Sequence, residues 1–218
     1  MMNVKKISGN TIPLCFLPNG KLLSYRKGKV LLMEEGKVEK ELDFPISKKE
    51  KYLGWSRLAT RLLRFGIRAA GVLDENHVVL SIGNMLHELD VSNGNISKGW
   101  FCGSGIRPLQ LTNVEGIDGI ADGMYFGGYL GNRAKKPVHI YHRTAVDTWE
   151  IVYTFPQGAI NHVHNIISDP YRQCLWVFTG DFEEAAAIWR VTDDFKRVEC
   201  VRCNDQKWRA DIVYALPE

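Results

Sequence analysis

His162-Val163-His164-Asn165-Ile166-Ile167, Asp169-Pro170-Tyr171-Arg172 and Cys174-Leu175-Trp176-Val177-Phe178-Thr179 form the stretch that decides the fold. Two short runs rich in β-branched and aromatic residues flank a tetrapeptide whose proline sits where a type I turn favours it. Ala187–Val191 and Arg197–Arg202 continue the pattern, so residues 160–203 read as four consecutive antiparallel strands.

The same count recurs upstream. Residues 12–44 give Ile12–Leu17, Lys21–Arg26, Lys29–Met33 and Lys37–Phe44, separated by Pro18-Asn19-Gly20, Lys27-Gly28 and Glu35-Gly36. Glycine supplies the positive φ that tight hairpins need. Residues 68–101 divide into Arg68–Leu73, His77–Ile82, Met85–Val91 and Asn95–Phe101. Residues 106–155 hold a looser set, Leu109–Val114, Met124–Tyr129, Val138–His142 and Trp149–Phe155. Four strands repeating about every 45 residues predict an all-β fold, a β-propeller of four-stranded blades. A two-sheet sandwich is the alternative, and the constant strand order favours the propeller.

Residues 208–218 read as the first strand of a fifth blade, so the expectation is a single incomplete propeller domain over 1–218, cut from a longer parent. Residues 48–66 break the pattern. Leu53, Leu58, Leu62 and Leu63 alternate with Arg57, Arg61 and Arg64, predicting an amphipathic basic linker helix. Its leucines are expected on the propeller and its arginines in solvent, the other reading being an anionic surface or glycan.

Twenty-eight basic residues against 25 acidic ones leave a net charge of +3, too small to imply nucleic acid. No apolar run reaches the roughly 20 residues of a membrane-spanning helix. Met1–Gly9 lacks the apolar core of a secretory signal, which makes the cytoplasm the expected location. Of five cysteines, Cys15, Cys102, Cys174 and Cys200 fall in or beside apolar runs, as reduced and mostly buried thiols do. Cys200 and Cys203 form a lone C-x-x-C, and joint use of the two would require a bend in the strand.

Two stretches carry a family likeness: Tyr125–Asn132 leading into Pro137–Tyr141, and Asn161–Asn165 followed by Asp169-Pro170-Tyr171 and Leu175–Asp181. With Gln206–Ala210, they resemble bacterial BNR/Asp-box, sialidase-like propeller proteins, often labelled glycosyl hydrolases on fold analogy. Thr144–Trp149 and Thr192–Arg197 stand where Asp-box turns join the third strand of a blade to the fourth, though both lack the glycine of that motif. Where relatives read Gly-Glu-Tyr, this chain has Gly127-Gly128-Tyr129, which removes a carboxylate.

Chain direction places the loops leading into each blade on the same face as the loops between second and third strands. The first set supplies Arg107, Asn161, His162, Gln206 and Arg209, and the second Tyr129, Asn132, Arg133 and Asp181. The expected site is this upper mouth of the channel, with His162, Asp181 and Arg209 as its reactive centre. Arg107, Tyr129, Asn132, Asn161, His164, Gln206 and Trp208 are expected to bind ligand, Trp208 by stacking on a sugar. His162 and His164 lie two apart on a strand and share a face, so they could hold a divalent metal with Asp181. No other cofactor is expected.

The leading reading is therefore a propeller that binds or processes a carbohydrate or other polar anionic ligand. Its alternatives are a non-enzymatic scaffold and a metal-dependent lyase or hydrolase built on the histidine pair. A glycoside hydrolase needs paired carboxylates, and Asp181 is the only one in view.

Overall fold

The computed structural model describes residues 11–54, 56–63, 65–182 and 185–217. Met1–Gly9, read above as no secretory signal, lie outside them, as do Glu183 and Glu184. Among the described residues, sixteen strands form four four-stranded sheets. The first sheet is β1 (Ile12–Phe16), β2 (Leu22–Arg26), β3 (Lys29–Glu34) and β4 (Lys37–Asp43). The second is β5 (Ile67–Val72), β6 (His77–Ile82), β7 (Met85–Asp90) and the short β8 (Trp100–Phe101). The third comprises β9 (Thr112–Val114), β10 (Gly123–Gly127), β11 (Val138–Ala145) and β12 (Thr148–Phe155). The fourth comprises β13 (Val163–Asp169), β14 (Cys174–Thr179), β15 (Ala187–Thr192) and β16 (Arg197–Arg202). In every sheet the spatial order is the chain order, the meander expected of a blade.

The chain forms two compact units, residues 1–98 and 99–218. In the first, Lys27-Gly28 and Glu35-Gly36 both have positive φ at each residue, the geometry that fits a two-residue hairpin to the strand twist. Leu23, Tyr25 and Val30 pack with Ile67, Val78, Leu80 and Leu89 in one apolar core.

The expected helix over 48–66 is two short helices, α1 (Lys48–Leu53) and α2 (Arg57–Leu62). Ser56 explains the break, because its hydroxyl accepts the Ala59 N–H and starts a new helix. The leucines also differ from expectation: Leu58 and Leu62 are 68% and 71% exposed. Glu50 is the inward residue of α1, accepting a hydrogen bond from the Tyr25 hydroxyl at 2.7 Å.

The second unit has its own core, in which Tyr125, Ile140 and Phe155 meet Val163, Ile166, Leu175, Val191 and Phe195. Gly127 makes this possible, since a Cβ there would lie 2.3 Å from the Val163 side chain. The Asp-box-like segments occupy the β11–β12 and β15–β16 turns, as expected, and Asp147 accepts a hydrogen bond from the Gly99 N–H.

Two expectations change here. Trp208–Tyr214 is not a strand: a single 3-10 turn, Gln206–Trp208, is followed by chain that joins no ladder. Cys200 is not a free thiol but is joined to Cys203 in a disulfide. The register of β16 on β15 slips at Val201, between the two cysteines, which supplies the bend the spacing requires. Cys15, Cys102 and Cys174 are free, and burial pushes the Cys15 thiol up to about 11 and that of Cys102 to about 12. No described helix is long and apolar enough to cross a membrane.

Candidate functional site

All the residues expected at the site belong to the second unit. His162 immediately precedes β13, and the register of β13 on β14 slips between Val163 and Asn165, at His164. Both imidazoles are buried, 4% and 3% exposed, and their Nε2 atoms lie 3.0 Å apart.

Asp181 reaches them from the loop after β14. Gly180 at φ +133 turns the chain there, and a Cβ at that position would lie 2.6 Å from the Ala186 backbone. The hydroxyl of Thr179 donates to the Ala185 carbonyl and accepts from the Trp189 indole, closing the loop on itself. The result places Asp181 Oδ2 3.1 Å from His162 Nε2 and Oδ1 3.3 Å from His164 Nε2. Arg209 completes the expected trio, its Nη2 3.0 Å from Asp181 Oδ1.

The outer ring nitrogens set the proton positions. His162 Nδ1 lies 3.0 Å from the Leu130 carbonyl oxygen, which can only accept, so Nδ1 carries the proton and Nε2 offers a lone pair. His164 Nδ1 lies 2.9 Å from Asp211 Oδ1, and that negative charge favours a proton on the same ring position. Burial lowers the His162 pKa below its ordinary 6.5 against the pull of Asp181, keeping the ring neutral near pH 7.

The remaining expected residues divide into two kinds. Arg107 and Tyr129 exchange both backbone hydrogen bonds, and the Tyr129 ring lies 4.3 Å from that of His162. They wall the site. Asn132 is occupied elsewhere, its amide bonded to both backbone groups of Lys136, while Asn161 donates to the Asn132 carbonyl. Trp208 is half-buried, with the Arg202 and Lys207 cations 5.6 and 5.0 Å from its ring.

Buried side-chain atoms without a hydrogen-bond partner gather here. Among the described residues they include Asn161 Oδ1, His164 Nδ1, Asp181 Oδ1 and Gln206 Oε1. The Asp211 and Arg209 approaches to two of these atoms are close in distance but off the hydrogen-bond direction.

Asp211 was not anticipated. It stands two residues after Arg209, the same spacing as His162 and His164, but reading the segment as a strand hid its role. Asp211 is the second carboxylate a hydrolase would need. However, Asp181 and Asp211 approach opposite nitrogens of the His164 ring, and the ring fills the space between them.

No family model and no curated protein matches the chain. Among solved structures it is similar to Raptor of Chaetomium thermophilum (TM-score 0.54, 9% identity), over 89% of this chain and 16% of that one. The Cps50 (Swd1) β-propeller domain of Myceliophteria thermophila aligns at TM-score 0.54 and 13% identity, over 90% and 60% of the two chains. The WD40 domain of SCAP from fission yeast aligns at 0.51 and 9%, over 89% and 42%. The fold is a β-propeller. These identities establish architecture alone, and the chain spans less than two thirds of each of these structures.

Within this propeller fold the four four-stranded sheets are the blades. Among the described residues, those that could hold a metal are His162, His164 and Asp181, whose ligand atoms lie within 4.8 Å of one another.

Proposed function

We propose that this propeller binds a polar anionic ligand through a divalent transition-metal ion held by His162 Nε2, His164 Nε2 and the Asp181 carboxylate. One observation carries the reading: two imidazole lone pairs and a carboxylate converge on a single point, where only a cation or a proton relieves their repulsion. The two Nε2 atoms lie 3.0 Å apart and each has a different Asp181 oxygen at 3.1 or 3.3 Å, close to the roughly 3.3 Å edge of a tetrahedron with bonds of about 2.0 Å. The Leu130 carbonyl accepts from the outer ring nitrogen of His162, as supporting groups of histidine ligands do, and the Asp211 carboxylate lies 2.9 Å from that of His164.

Three protein ligands leave coordination positions for a further group. A dication on two neutral histidines and one carboxylate retains a net positive charge, and Arg209 adds another. An anionic oxygen donor suits that field. The likeness to sialidase-like propellers supports an acidic sugar as the ligand class. Binding rather than glycoside hydrolysis is favoured, since His164 stands between the two carboxylates and Gly128 replaces the relatives' glutamate.

The test is elemental analysis of the purified full chain after dialysis against zinc, cobalt or manganese. Stoichiometric metal is expected, lost in His164→Ala and in Asp181→Asn, with circular dichroism showing that the fold persists. Glucuronate titrated calorimetrically should bind the metal-loaded protein and not the chelated one. A wild-type chain that retains no metal would sink the proposal. Metal retention without glucuronate binding would overturn the ligand assignment alone.

A further inference from the structure

The first unit carries an unusual surface. Tyr52, Leu53, Leu58, Leu62 and Leu63 are all exposed, on two short helices and the residue that follows them. Leu58 and Leu62 are four residues apart on α2 and share a face. The inward positions are taken by polar groups instead. Glu50 accepts from Tyr25, and the Thr60 hydroxyl donates to the Gly54 carbonyl. This inverts the usual arrangement, in which a surface helix turns its leucines to the core.

Charge sharpens the picture. Between Asp43 and Asp74 the sequence has seven basic residues, Lys48, Lys49, Lys51, Arg57, Arg61, Arg64 and Arg68, and one acidic residue, Glu50. Glu50 is buried, whereas Lys48, Lys49, Lys51 and Arg61 are exposed. The exposed leucines thus stand among four exposed cations, Lys48, Lys49, Lys51 and Arg61. Protein surfaces rarely leave so many large apolar side chains together in water.

We propose that residues 48–63 dock on an anionic phospholipid surface, the leucines entering the interface while lysines and arginines meet headgroup phosphates. Apolar insertion and electrostatic attraction act together there, and neither alone gives stable attachment. Charge complementarity selects lipid over an apolar protein groove, since the basic residues flank the leucines on both helices.

The experiment is flotation of the full chain with phosphatidylcholine vesicles, with and without phosphatidylglycerol. Binding to the anionic vesicles alone is expected, falling steeply with added salt. The double substitution Leu58→Glu and Leu62→Glu should weaken it on the order of a hundredfold while leaving the circular dichroism spectrum unchanged. Lys48→Glu with Lys49→Glu should also weaken it, through charge alone. The proposal is overturned by absence of flotation with anionic vesicles, or by flotation that survives the leucine substitutions. Concentration-dependent self-association of the wild type that the leucine substitutions abolish, without lipid binding, would assign the patch to a second copy of the chain instead.

Discussion

In the first unit, β2 and β3 are joined by the two residues Lys27-Gly28, whereas in the second, β14 and β15 are joined by residues 180–186, which carry Asp181. Both connections lie at the same step of a four-stranded meander. In the short one the Gly28 N–H donates to the Tyr25 hydroxyl, and neither residue brings a buried polar side chain. The long one requires Gly180 in a backbone conformation closed to other residues, and it delivers a carboxylate to two buried imidazoles. Buried polar groups follow the same division. In the first unit Glu50 is matched by Tyr25, and the unpaired atoms are the small hydroxyls of Ser24 and Ser81. Among the described residues of the second they are an imidazole nitrogen, a carboxylate oxygen, two amide oxygens and the Nε of Arg190, with His164 and Asp181 in direct contact. Regular hairpins build the blade, and the departures from regularity hold the chemistry.

The sharpest way to break this comparison is Asp169, at the end of β13. Its buried carboxylate accepts from two backbone N–H groups, the Trp176 indole and Arg172. Asp169→Ala is expected to cost about 3 kcal/mol in denaturant unfolding, because several donors lose their partner at once. Burial raises the Asp169 pKa, but the Trp176 and Arg172 contacts outweigh it, leaving the folded value below the ordinary 3.8. The stabilisation is therefore complete above that pH and lost as pH falls through the folded pKa, the unfolded chain taking up its proton first. Asp169→Asn should flatten this acid limb. A variant that keeps the wild-type acid limb would remove the role assigned to Asp169.

Next in size is Gly180→Ala, expected to cost about 2 kcal/mol through backbone strain and contact with Ala186. It should also weaken metal retention, since it moves Asp181. Metal retention unchanged in that variant would show that the loop does not position the carboxylate. The smallest effect is expected in the first unit. Tyr25→Phe removes the partner of Glu50 and of the Gly28 N–H, at a cost of about 1 kcal/mol, with metal retention unaffected. Loss of metal there would mean that the two units are not chemically separate.

The strand pattern was legible because alternation and turn residues are local. Ile12–Phe16, His77–Ile82, Cys174–Thr179 and Arg197–Arg202 stand within a residue of their expected limits. His162, His164, Asp181 and Arg209 were expected at one mouth and are in contact, since chain direction through a meander fixes which loops share an end. Local patterns did not show that Asn132 would turn to its own loop, that Arg202 and Lys207 would approach the Trp208 ring, or that Asp211 would face His164. Those outcomes depend on which long-range partner reaches a polar group first.

The amino-acid sequence by itself determined the four-strand repeat, the turn positions and the set of polar side chains available to the loops. Each depends on residues a few positions apart. Tertiary structure decided the rest: the break between α1 and α2, the outward leucines and the convergence of two imidazoles on one carboxylate. Contacts between residues distant in sequence, such as Glu50 with Tyr25 or Asp181 with His162, form only when the chain folds, and no periodicity encodes them.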